Sequence, residues 1–165
     1  MRPRPPVLAH RRFVERASDF AGLAPEVLFT EIWKSNLWGA PTSRSGRGSE
    51  DEDTANLRAD LPVLLETLQV RTLLDLPCGD FGWMNRTNCH LDRYIGADIV
   101  GEIVTRNASL FATLDGRIGF RKLDLLSDTL PAADAILCRD CFVHFSYANI
   151  GKALAICVQV ICIGS

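Results

Sequence analysis

No stretch of the sequence approaches the ~20 consecutive apolar residues that a membrane span requires. The opening MRPRPPVLAHRRF is broken by proline and arginine before any apolar run develops. Neither a membrane helix nor a secretory signal is therefore expected, and the chain reads as soluble, unexported and cytoplasmic. Charge of one sign is also lacking: 18 Lys and Arg stand against 20 Asp and Glu, a net of −2. With no basic stripe interleaved with aromatics, nucleic acid and anionic membrane are not expected partners. No internal repeat is found. Among the six cysteines there is one Cys-x-x-Cys, Cys138 and Cys141, without the second pair that a structural zinc site uses, so no metal site is expected. Cys138 ends an apolar run, which suits a small core residue better than an exposed redox thiol. Without an export signal the thiols should be reduced and mostly buried, and the sequons at Asn85 and Asn107 are not read as glycosylation sites.

What is present is a hydrophobic fraction of 47% over 165 residues. That suffices for one domain-sized core that depends on neither disulfides nor metal. Residues 1–53 read as N-terminal helices and a flexible cover loop, and residues 54–165 as the main domain. Residues 1–6 are Arg/Pro-rich and expected to be disordered. Phe13 to Phe20 and Pro25 to Lys34 carry apolar residues at helical spacing, with Pro25 suited to a first turn. Gly39 to Asp53, dense in Ser, Gly and charge, reads as a loop. Asp53 or Thr54 can cap a helix to about Leu68, in which Leu57, Leu61, Leu64, Leu65 and Leu68 form an apolar stripe.

Thr72 to Leu76 and Tyr94 to Val100 are short apolar runs ending near acids, the pattern of buried parallel strands. Helical spacing at Glu102 to Phe111 is followed by an alternating segment, Ile118 to Leu123, the run Ala133 to Leu137, and a helix pattern from Ile150 to Val158. Strands alternating with helices predict an α/β fold with a doubly wound, mostly parallel sheet. Val158 to Ser165, rich in β-branched residues, could form a fifth strand.

In such a sheet a ligand sits outside the carboxyl ends of the strands. Asp75 closes the first strand, and Gly79 and Gly82 follow it in a turn that lets backbone approach a ligand. Asp98 ends the second strand 19 residues past Gly79, near the offset of about 20 at which an acid accepts hydrogen bonds from ribose hydroxyls. Pro77 and Phe81 stand where a dinucleotide enzyme needs glycine, so an adenosine cofactor without phosphates fits better.

Leu73-Leu74-Asp75-Leu76-Pro77-Cys78-Gly79-Asp80-Phe81 resembles motif I of class I S-adenosylmethionine-dependent methyltransferases, a Rossmann-like family. Tyr94 to Asp98 resembles its ribose-binding strand, Leu123-Asp124-Leu125 the adenine-contacting strand end, and Ile136 to His144 motif IV. A little-characterised, largely bacterial set is similar in its Pro-Cys-Gly-Asp-Phe turn and Cys-Arg-Asp-Cys-x-Val-His segment. Leu37-Trp38-Gly39 and Ser45-Gly46-Arg47-Gly48-Ser49 match that set as well. The resemblance covers roughly residues 36 to 156. It implies S-adenosyl-L-methionine as cofactor, with Asp75, Pro77, Cys78, Gly79 and Asp80 around the methionine end. It places Asp98 and Ile99 at the ribose, Asp124 at the adenine amino group and Leu125 beside the ring. Asp140 would face the methionine moiety or the acceptor.

Methyl transfer is an in-line displacement governed by positioning, and the acceptor must shed a proton. His144 has the unperturbed pKa of a general base near neutrality, although a packed histidine between Val143 and Phe145 is the competing reading. Trp33, Trp38 and Trp83 are either core aromatics or walls of an acceptor pocket. The resemblance breaks at Cys157 to Ser165, which implies a C-terminally truncated chain with an incomplete sheet whose open edge favours self-association. The expected activity is methylation of a small-molecule or glycan acceptor. A degenerate, non-catalytic cofactor-binding fragment and an NAD-dependent oxidoreductase are the alternatives.

Overall fold

A computed structural model of the chain describes residues 8–161. The expectations for residues 1–6 and for residues 162–165 fall outside this range. Three helices open the described chain, α1 (Leu8–Glu15), α2 (Ala17–Phe20) and α3 (Pro25–Lys34). Pro25 occupies the first turn of α3, where its missing N–H costs nothing. Phe20, Ile32 and Leu37 bury one another in a small cluster of their own. Exposed ion pairs, Lys34 with Glu102 at 2.8 Å and Lys122 with Glu26 at 2.6 Å, orient α3 on the main domain.

Helix α4 (Asp51–Thr67) begins earlier than the sequence suggested. Asp51, Glu52 and Asp53 fill its first turn, where negative charge favours the helix N-terminus. Thr54 does not cap it; inside the helix, its hydroxyl donates to the Glu50 carbonyl at 2.8 Å. The apolar stripe is also rotated from the expected one. Leu61 and Leu65 are buried with Thr54, whereas Leu64 and Leu68 are 53% and 62% exposed. Thr54, Leu61 and Leu65 lie within about 40° of one another on a helix of 3.6 residues per turn, so the sheet-facing surface is centred on them.

Strands β1 (Thr72–Asp75), β2 (Arg93–Asp98), β3 (Ile118–Lys122) and β4 (Ala135–Leu137) form an open, all-parallel sheet in the order β3-β2-β1-β4. Central β1 is buried on both faces, with Leu73 and Leu74 at 1% and 0% exposure. Leu73 and Tyr94 pack with Leu61 and Leu65 of α4. Leu74, Ile95 and Ala97 pack on the other face with Ala153 and Val160. Gly96 in β2 has a steric reason: a Cβ there would stand 2.6 Å from the Phe120 ring and 3.0 Å from that of Tyr94.

Helix α5 (Gly101–Phe111) follows β2, and α6 (Tyr147–Ile161) closes the described chain. The strand expected from Val158 onward is not formed through Ile161. Ala153 and Val160, seven residues apart, bury together on the sheet at helical spacing, and that packing overrides β-branched propensity. Among the described residues no helix is long and apolar enough to cross a membrane.

Candidate functional site

Because β2 and β4 flank β1, the winding of the sheet reverses there, and a cavity of about 160 Å³ opens beyond the strand ends. Its floor carries two carboxylates from the ends of adjacent strands. Asp75 is buried and accepts a hydrogen bond from the Tyr94 hydroxyl at 2.6 Å. Burial pushes its pKa up to about 7, the Tyr94 bond opposing the shift and the charge of Asp98 adding to it. Asp98 is buried as well, and desolvation raises its pKa to about 6 despite backbone bonds from Val100 at 3.0 Å and Gly79 at 3.1 Å.

Between these acids runs the turn from Leu76, joined to Pro77 by a cis peptide bond. The Cys78 amide donates to the Ala97 carbonyl at 2.8 Å, and burial drives its thiol pKa well upward, so Cys78 stays a neutral packing group. Gly79 has φ +54°, and a Cβ there would lie 2.4 Å from Ser45 Oγ. Phe81 also has a positive φ, 60°, which turns its ring onto Tyr94 at 4.9 Å and Phe111 at 5.2 Å.

The Ser/Gly-rich loop is fastened over this turn. Ser43 Oγ donates to Asp80 Oδ2 at 2.7 Å, and the Asp80 amide donates to Ser45 Oγ at 2.8 Å. Glu50 accepts from the Thr42 and Ser43 amides at 2.9 and 3.0 Å, and with the Thr42 hydroxyl they hold its pKa low. From the other side, Asn107 of α5 is fully buried and donates to the Gly79 carbonyl at 2.7 Å.

The remaining walls come from the ends of β3 and β4. Leu125 is buried and Ile99 half-buried, both facing the cavity. Asp124 also borders it, but its oxygens accept from the Leu126 amide at 2.8 Å and the Ser127 hydroxyl at 3.0 Å. Arg139 lies over the Trp83 ring at 5.4 Å, hydrogen-bonds the Gly48 carbonyl and pairs with Asp140 at 3.1 Å. Asp140 itself is in the left-handed region at φ +54°. Cys141 borders the cavity and accepts a bond from the Cys138 thiol, which lowers the Cys141 pKa and raises that of Cys138. Among the described residues no group of three His, Cys, Asp or Glu could hold a metal ion.

His144 is exposed, yet its ring stacks on Trp38 and meets Phe29 edge-on, each at 5.5 Å. Desolvation lowers its pKa, and the charge of Asp140 opposes that shift. Trp33, Trp38 and Trp83 all border the cavity. Of the residues singled out from the sequence, Asp75, Pro77, Cys78, Gly79, Asp98, Ile99, Asp124, Leu125, Asp140 and His144 border one space, whereas Asp80 does not and instead binds Ser43 and Ser45 of the covering loop. Sequence reasoning did not find Tyr94, Asn107 or the Ser43–Asp80 latch. Asn107 was noticed only as a sequon; its helical spacing from Ile103 was the available signal that it faces inward.

No protein-family model matches the chain, and none of the curated proteins matches its sequence. Solved structures share its fold. The N-methyltransferase NodS from Bradyrhizobium japonicum WM9, in complex with S-adenosyl-L-homocysteine, aligns with 79% of this chain and 67% of its own at a TM-score of 0.59 and 15% identity. The methyltransferase domain of bacterial CtHen1-C aligns with 64% of this chain and 59% of its own at 0.55 and 12% identity. The S-adenosylmethionine-bound amino pentose methyltransferase CalS10 from Micromonospora echinaspora aligns with 64% and 45% at 0.54 and 14% identity. The chain thus spans between 45% and 67% of the length of these structures. At such identities the likeness shows the fold alone, an open parallel α/β sheet shared with these methyltransferases, and function must be argued from the site.

Proposed function

We propose that the chain is an S-adenosylmethionine-dependent methyltransferase acting on a hydroxyl or amine of a small-molecule acceptor. The observation that carries this reading is the pair Asp75 and Asp98, buried at adjacent strand ends on either side of a glycine turn. Asp80 adds a third carboxylate to that turn. A pyrophosphate would meet repulsion there, whereas a sulfonium and ribose hydroxyls find acceptors, which argues against a nicotinamide dinucleotide.

The residues present fit that cofactor. Asp98 retains acceptor lone pairs beyond the two amides it anchors, suited to ribose hydroxyls. Asp75, Pro77, Cys78 and Gly79 border the space for the methionine end, and Asp80 holds the covering loop in place. Ile99 and Leu125 provide apolar surface for a purine, with Asp124 at its edge. When bound, S-adenosylmethionine supplies an electrophilic methyl group on a positively charged sulfur. The protein's part is to orient the acceptor, exclude water and take up the acceptor's proton. His144, packed on Trp38 and Phe29, borders the cavity and is the side chain assigned to accept that proton, with the charge of Asp140 favouring the imidazolium that results.

Calorimetric titration with S-adenosylhomocysteine, with NAD as control, tests the reading. Micromolar binding of S-adenosylhomocysteine alone, weakened by roughly 1.5 to 3 kcal/mol in Asp98→Ala, is the expected result. A folded protein that binds NAD better, or whose affinity Asp98→Ala leaves unchanged, overturns it.

A further inference from the structure

Besides the strand-end acids and the apolar Ile99 and Leu125, residues from the 25–49 segment line the same cavity and bring a different chemistry. Phe29, Trp33 and Trp38 line it together with the His144 ring. Trp33 is only half-buried, and Phe29 and Trp38, which pack against the Phe20, Ile32 and Leu37 cluster, also meet the His144 ring. At their edge stands Arg44. Its guanidinium lies 5.3 Å from the centre of the Trp33 ring, and the side chain is exposed and borders the cavity. Among the described residues no carboxylate pairs with it, unlike Arg139, which is committed to Asp140 and the Gly48 carbonyl. The indole N–H of the same Trp33 is buried without a hydrogen-bond partner, a donor in deficit until an oxygen reaches it.

We infer that this recess is the acceptor subsite and that it selects a flat aromatic acceptor bearing an anionic group, the ring set against the cavity-lining cluster of Phe29, Trp38 and His144 and the anion on Arg44. The inference rests on the methyltransferase reading, since it places the acceptor's hydroxyl or amine near His144. A flat ring matches walls of aromatic side chains, which favour offset or edge contacts at ring separations of 4.5–7 Å. Stacking on Trp33 restricts the Arg44 fork, so less freedom is lost when it meets an anion. An uncharged ring would leave Arg44 unused.

Titrations of 4-hydroxybenzoate, its neutral methyl ester and cyclohexanecarboxylate test this, each with and without saturating S-adenosylhomocysteine, on the parent protein and on Arg44→Gln, Trp38→Leu and Arg47→Gln. The aromatic acid is expected to bind about fivefold more tightly than the ester or the non-aromatic acid. Arg44→Gln should remove the advantage over the ester, and Trp38→Leu the advantage over the saturated ring. Arg47→Gln, which deletes an exposed charge from the same loop outside the cavity, should change neither. Equal affinity for acid and ester, or an acid advantage that survives Arg44→Gln, overturns the inference while leaving S-adenosylhomocysteine binding, and so the methyltransferase reading, intact. Acid binding that depends on Arg44 in a protein that ignores S-adenosylhomocysteine upholds the recess and rejects the methyltransferase reading. Absence of any acid binding in a protein that binds S-adenosylhomocysteine also overturns the inference.

Discussion

The Tyr94 hydroxyl on β2 donates to Asp75 Oδ2 on β1 at 2.6 Å, across neighbouring strands and inside the core. It is the bond that makes an ionised Asp75 tolerable there. Tyr94→Phe should therefore cost about 1 to 3 kcal/mol in urea unfolding. The loss should grow from pH 5 to pH 8, because the bond favours the charged carboxylate. A loss independent of pH would mean that Tyr94 contributes packing alone.

The pH dependence of stability follows from the same carboxyl. With its pKa raised to about 7 from 3.8, Asp75 binds its proton more tightly folded than unfolded. Its contribution is then fully present below about pH 4 and is lost as pH climbs to about 7. The upper bound is roughly 4 kcal/mol, at about 1.4 kcal/mol per pH unit. Asp98, at about 6, acts in the same direction over a narrower window. Thermal unfolding from pH 4 to 8 should show Tm of the parent falling more steeply than that of Asp75→Asn; parallel curves would remove Asp75 as the cause.

Asn107→Leu keeps the side-chain volume but leaves the Gly79 carbonyl without its 2.7 Å donor. A loss of about 1 to 3 kcal/mol is expected in unfolding. Since the turn it steadies borders the cavity, affinity for S-adenosylhomocysteine should fall too. Full stability and affinity in this variant would show that the turn holds its shape without α5.

Gly79→Ala confronts both a left-handed backbone and the Ser45 hydroxyl. It should destabilise by roughly 1 to 3 kcal/mol. Ser45→Gly in the same chain removes the obstacle but not the backbone strain, so the double variant should recover part of the loss. Strict additivity of the two changes in a double-mutant cycle would show that the loop does not press on the turn.

Much of this arrangement was legible in the sequence because it depends on local pattern. Asp75 and Asp98 end short apolar runs, and such runs between helical spacings can hardly be anything but buried parallel strands. The rest was set by contacts between distant segments. Val158 and Val160 read as strand until Ala153 and Val160 share a burial surface. Leu64 and Leu68 read as core until the sheet chooses the side of α4 centred on Thr54. Ser43 and Ser45 look like loop polarity, and only the approach of Asp80, 37 and 35 residues on, makes them a latch. Asn107 needed α5 to be docked before its amide had a carbonyl to meet.

The chain holds three tryptophans, and Trp33, Trp38 and Trp83 all border the one cavity. Its tryptophan emission therefore originates entirely at the site, with no distant indole to dilute the signal. Two of those indoles already sit beneath arginine guanidinium groups. Displacing either cation, or draining water from the recess, alters the polarity around an emitter directly, so the protein is its own optical gauge of occupancy.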